Sequence, residues 1–105
     1  MKTQTPLERP PAVTRISVEY PQEGELITSS SYTFRIDGSA PRVEIAIDGG
    51  DWRPCRRSDD YWWFDWSDYD SGRHQAIVRS AQRTGLEFAT RTCRFLVELP
   101  GSRAR

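Results

Sequence analysis

Residues 43–52 read Val-Glu-Ile-Ala-Ile-Asp-Gly-Gly-Asp-Trp, residues 61–66 read Tyr-Trp-Trp-Phe-Asp-Trp, and residues 72–81 read Gly-Arg-His-Gln-Ala-Ile-Val-Arg-Ser-Ala. These three stretches decide the fold. Val43, Ile45 and Ile47 alternate with Glu44 and Ala46, the period of a strand with one buried face. Asp48-Gly49-Gly50-Asp51 then signals a hairpin, because glycine accepts the positive φ of a tight reversal. The returning strand, near 52–56, contains Pro54, which cannot donate to a ladder and so belongs at a sheet edge. Residues 56–60 read as a charged loop. Along 61–66 successive side chains point to opposite faces, so Trp62, Phe64 and Trp66 share one and Tyr61, Trp63 and Asp65 the other. Ser67 to Arg73 reads as a polar turn. The strand at 74–81 carries apolar residues on both parities (Ala76 and Val78, but also Ile77), as a central strand does.

Outward from this centre the same alternation recurs. Ile16, Val18 and Tyr20 mark an early half-buried strand, and Leu26-Ile27 a short edge segment. Tyr32, Phe34 and Ile36 point inward from a strand over 31–37, with Thr33 and Arg35 outward. A turn at 82–85 precedes a last strand carrying Cys93, Phe95, Val97 and Leu99. The chain has 105 residues, which makes one domain. We therefore expect an all-β, immunoglobulin-like sandwich of six to seven antiparallel strands over 12–100, between a proline-rich leader at 1–11 and a tail at 101–105. Trp66 is expected in its core against Phe34, Ile45 and Phe95.

Composition narrows the function. Fifteen basic and fifteen acidic residues cancel, so no bulk field draws the chain to nucleic acid or to an anionic membrane. No apolar run reaches membrane-spanning length. The N-terminal residues lack the apolar stretch of a secretory signal, which gives a cytoplasmic expectation if Met1 is the natural start. In that setting Cys55 and Cys93 are expected as free thiols, on strands that flank opposite edges of one sheet. Only 36% of residues are hydrophobic, and twelve aromatics (four each of Trp, Tyr and Phe) compensate, since each buries a large area.

The hairpin at 43–52, Trp63-x-x-Trp66, Gly72-Arg73-His74, the strand Val78-Arg79-Ser80-Ala81 and the turn residue Gly85 together resemble a bacterial immunoglobulin-like or fibronectin-like (early-set) domain. The nearest pattern is the dimerisation domain of sulfite-oxidase-type molybdenum enzymes. That resemblance implies a structural or dimer-forming role. The catalytic molybdenum domain has no counterpart in these residues, so no cofactor is carried over.

Catalytic signals are weak throughout. His74 is the single histidine, no serine-nucleophile motif accompanies it, and Asp48-Gly49-Gly50 turns a hairpin without opening a phosphate-binding helix. Asp59, Asp60, Asp65, Asp68 and Asp70 crowd one segment, yet their spacing fits no calcium loop, and Arg56, Arg57 and Arg73 are ready counter-charges. Two cysteines and one histidine lie in no zinc spacing. No enzyme, metal or cofactor is expected. The candidate site is an aromatic patch for a protein partner or a second copy: Trp52, Tyr61, Trp63 and Tyr69, flanked by Arg53 and Arg57. The alternatives are a carbohydrate-binding module that stacks sugars on the same aromatics, and an accessory domain of a separately encoded oxidoreductase.

Overall fold

The alternation read from the sequence lays down nine strands in a computed structural model of the chain, which describes residues 15–81 and 89–100. They are β1 (Ile16–Tyr20), β2 (Leu26–Ile27), β3 (Ser31–Gly38), β4 (Arg42–Ile47), β5 (Arg53–Pro54), β6 (Arg56–Ser58), β7 (Tyr61–Ser67), β8 (Gly72–Ala81) and β9 (Thr90–Val97). One sheet has the order β1-β3-β7-β6 and the other β2-β9-β8-β4-β5. The leader at 1–11, the turn at 82–85 with Gly85, and the tail at 101–105 lie outside the described residues. No helix long and apolar enough to cross a membrane occurs among the described residues.

The two inner faces meet in one aromatic-rich core. Phe34, Ile36, Val43, Ile45, Trp62, Phe64, Val78, Cys93, Phe95 and Val97 are buried in it, as their parity requires. Phe34 is fully buried and packs edge-on against Phe64, Trp66 and Phe95, with centroid separations of 6.4, 5.8 and 5.7 Å. Such edge-to-face pairs add about 0.5–1.5 kcal/mol each beyond area burial. Trp66 faces inward as expected, but it is only partly buried and sits at one end of the core, stacked on Tyr69 at 3.8 Å.

Several elements differ from the sequence reading. The fourth strand is broken at Cys55: β5 pairs with β4 in one sheet, while β6 pairs with β7 in the other. The chain thus changes sheets within three residues, and the Cys55 amide bonds the Val43 carbonyl at 2.9 Å as it crosses. The loop expected at 56–60 is instead a tight hairpin, with Ser58 opposite Tyr61. Asp59 and Asp60 make its turn in left-handed conformations, φ 54° and 68°. Aspartate tolerates that region better than most residues, though less well than the Asn-Gly that usually signals such turns. The short segment β2 pairs in parallel with β9, and the remaining pairings are antiparallel. A bulge at Glu19 shifts the register between Val18 and Tyr20. Tyr20 therefore leaves the inner face predicted for it and stands 44% exposed.

Both cysteines are free and buried. They do not flank opposite edges of one sheet: Cys55 lies at the crossing between sheets, and Cys93 in β9, beside the edge segment β2. Burial pushes the Cys55 thiol up to about 12, with Glu44 adding to the shift. Burial likewise pushes Cys93 up to about 11, helped by Glu23 and Glu25. Cys93 Sγ donates to the Pro21 carbonyl at 3.2 Å.

Two expectations follow. Phe34→Ala should destabilise the domain by about 3–5 kcal/mol in urea unfolding, because the cavity would open where four rings converge; a loss under about 1 kcal/mol would contradict this core. The thiolate is the reactive form, so both cysteines should label slowly in native protein. In denaturant without reductant, thiol counting should give two groups, and zero would reveal a disulfide absent from this fold.

Candidate interaction surface

Turning Trp62, Phe64 and Trp66 into the core leaves Tyr61, Trp63 and Asp65 on the outside of the four-stranded sheet. Register places Arg35 of β3 beside Trp63 of β7, and Tyr20 of β1 beside Arg35. The Arg35 guanidinium lies over the Tyr20 ring at 4.9 Å and over the Tyr61 ring at 4.4 Å. Tyr61 in turn meets Trp63 edge-on at 6.0 Å. The Trp63 indole donates from Nε1 to the Ser58 carbonyl on β6 at 2.8 Å. One row of side chains from β1, β3 and β7 thus crosses the sheet and ends on the backbone of β6.

Arg35 is held chiefly by rings. Its ion pair with Glu19 is long, 3.6 Å, and its Nε is buried without a hydrogen-bond partner. Cation–π contacts of this kind contribute about 0.5–1 kcal/mol at exposed sites and more when water is excluded. Beside the row is a polar cluster. Thr33 Oγ1 donates to Asp65 at 2.8 Å, and Arg56 reaches both Asp65 oxygens at 3.3 Å. The Thr33 hydrogen bond, followed by that of Arg56, holds the Asp65 carboxyl below its ordinary range.

The structure brings together only part of the expected patch. Tyr61 and Trp63 are adjacent and half-buried on this face. Trp52, 38% exposed, lies with the other sheet: the Arg79 guanidinium covers its ring at 4.0 Å, and Arg79 pairs with Glu44 at 2.7 Å across β8 and β4. Since the neighbouring register pair Ile45 and Val78 is core, Glu44 and Arg79 face outward from the five-stranded sheet. A contiguous surface containing both Trp52 and Trp63 is therefore corrected to two faces. Tyr69 is corrected more sharply. It is only 9% exposed, stacks on Trp66, and donates its hydroxyl to the Ser29 carbonyl at 2.6 Å. Arg53 and Arg57 are exposed, and each covers an inner-face ring, Phe64 and Trp62 respectively, both at 5.4 Å.

Sequence reasoning missed Tyr20 and Arg35. Arg35 was legible as outward-facing, but its aromatic clamp depends on the bulge at Glu19, which strict alternation does not reveal. Among the described residues, no group of three or more His, Cys, Asp or Glu side chains is placed to hold a metal ion.

No protein-family model matches the chain, and no curated protein sequence matches it. Solved structures do. An endo-β-1,4-mannanase from Thermotoga petrophila superposes with a TM-score of 0.70 at 10% identity, covering 83% of this chain and 20% of that one. An engineered protein gives 0.68 at 17% identity, with 86% and 21% coverage. Fibronectin(III)-like modules of Clostridium thermocellum CbhA give 0.66 at 14% identity, with 81% and 98% coverage. The chain thus spans about a fifth of the first two and nearly all of the third. At these identities the likeness is one of fold: the chain is an immunoglobulin-like, fibronectin-III-type sandwich.

Tyr69→Phe should cost about 0.5–1.5 kcal/mol in urea unfolding, because it removes the hydrogen bond from the hydroxyl to the Ser29 carbonyl. A neutral outcome would return Tyr69 to the list of surface residues.

Proposed function

We propose that this domain is a non-enzymatic association module, and that the row Tyr20–Arg35–Tyr61–Trp63 is its contact surface. The observation that carries this reading is the Arg35 guanidinium clamped between two tyrosine rings on an outer sheet face. Tyrosine, tryptophan and arginine dominate binding hot spots because they desolvate large areas at small entropic cost. Here the arginine is already positioned, so little side-chain freedom is left to lose on binding. Contact through the face is favoured over contact through an edge. The lateral strands are blunted: β2 and β5 have two residues each, β5 contains Pro54, and β1 is bulged.

The resemblance to the dimerisation domain of sulfite-oxidase-type enzymes makes a second copy the first partner to test. A carbohydrate reading has its own support, since exposed rings stack on sugars and one structural neighbour is a mannanase.

Trp63→Ser decides between them. Its solution mass by sedimentation should fall relative to wild type, while circular dichroism and melting change little, because Trp63 lies on the outer face. Unfolding of the variant would make Trp63 structural and remove the proposed surface. If association persists and retention on soluble β-1,4-mannan is lost instead, the carbohydrate reading replaces the first.

A further inference from the structure

His74 occupies an unusual position for a charged group. It points inward from β8, opposite Phe95 of β9, at the end of the sandwich. Its side chain is 10% exposed, lies parallel to the Phe95 ring at 6.0 Å and meets Trp66 edge-on at 5.1 Å. Nδ1 is 2.6 Å from Asp48 Oδ2, and Nε2 is 2.7 Å from the Asp70 carbonyl oxygen. The carbonyl can only accept a hydrogen bond, and so can the ionised carboxylate. Asp48 is anchored independently, by the Gln75 amide on Oδ1 at 2.9 Å and by its own amide on the Gln75 carbonyl at 2.8 Å. Both ring nitrogens must therefore donate, which is the hydrogen-bonding pattern of an imidazolium. That one ion ties β8 to the turn after β4 and to the turn after β7.

We propose that protonated His74 is a clip closing this end of the sandwich, and that loss of its Nε2 proton to solvent releases the turn carrying Asp70. Nε2 is the site of loss because the proton on Nδ1 faces a full negative charge. The lone pair left on Nε2 would confront the Asp70 carbonyl oxygen at 2.7 Å, and two acceptors repel at that distance. Release would widen the adjoining cleft of about 330 Å³, floored by Phe64, Trp66 and Tyr69.

The surrounding charges are mixed. Asp51, Asp68 and Asp70 on the two turns favour the cation, as Asp48 does. Arg53 of β5, Arg73 of β8 and Arg94 of β9 oppose it, although Glu23 lies 3.7 Å from Arg94. Tyr69, whose hydroxyl donates to Ser29, has its pKa raised by burial and stays neutral. Burial disfavours charge on His74, but the hydrogen bonds to Asp48 and the Asp70 carbonyl, with the charges of Asp48 and Asp70, outweigh it and raise its pKa. The sign follows: the clip's stabilisation is complete below the ordinary histidine value of about 6.5 and fades as pH rises through the higher native value.

Because His74 is the only histidine, nuclear magnetic resonance can titrate it in the intact chain without assignment ambiguity. The folded midpoint should exceed that of the same chain in urea, with both ring nitrogens protonated below it. Protection of the amides at 68–72, corrected for intrinsic exchange, should fall about tenfold across that midpoint. Asp48→Asn, which keeps the histidine and the side-chain size, should lower the midpoint. A folded midpoint at or below the denatured one overturns the proposal. So does a raised midpoint across which the 68–72 protection stays constant.

Discussion

The contact between Phe34 and Phe95 joins the two sheets, and most of the structure depends on it. A sandwich holds its layers about 10 Å apart, and that space must be filled from both inner faces. With 36% hydrophobic residues, the chain fills it with rings that interlock at steep angles. This choice also fixes the exterior. Once Phe64 turns toward Phe34, the period of two forces Trp63 outward beside Arg35. The proposed contact surface is thus the reverse side of the core, and a one-residue slip of β7 would exchange the two.

The alternation at 31–37, 43–47 and 61–66, and the Asp48-Gly49 turn, were legible because each is a local property of backbone and side-chain period. What escaped depended on contacts between distant residues. Nothing local to Tyr20 announces the bulge at Glu19, and nothing local to Cys55 announces a change of sheet. The Asp59-Asp60 turn escaped because it lacks the glycine that usually marks positive φ. Tyr69 reads as a turn aromatic until the Ser29 carbonyl, forty positions away, is found to accept its hydroxyl.

The splitting of the expected patch has the same origin. Parity along a strand tells which residues share a face, but not which sheet the strand joins. Trp52 follows a hairpin held by β4 and stays with the five-stranded sheet; Trp63 belongs to the other. Arginines recur as the covers of aromatic rings, Arg35, Arg53, Arg57 and Arg79 each lying over at least one. A planar guanidinium stacks where an ammonium would pull toward water, which gives physical content to a chain with fourteen arginines and a single lysine.

The two shielded thiols bear on where such a domain can be used. Many small sandwiches rely on a bridge between their layers and lose integrity when it is reduced. This one is fastened across its layers by ring and aliphatic packing, and both of its thiols are free and buried, so glutathione has nothing to cleave and an oxidant meets no ready thiolate. Its folded state asks for no oxidising compartment to hold it together.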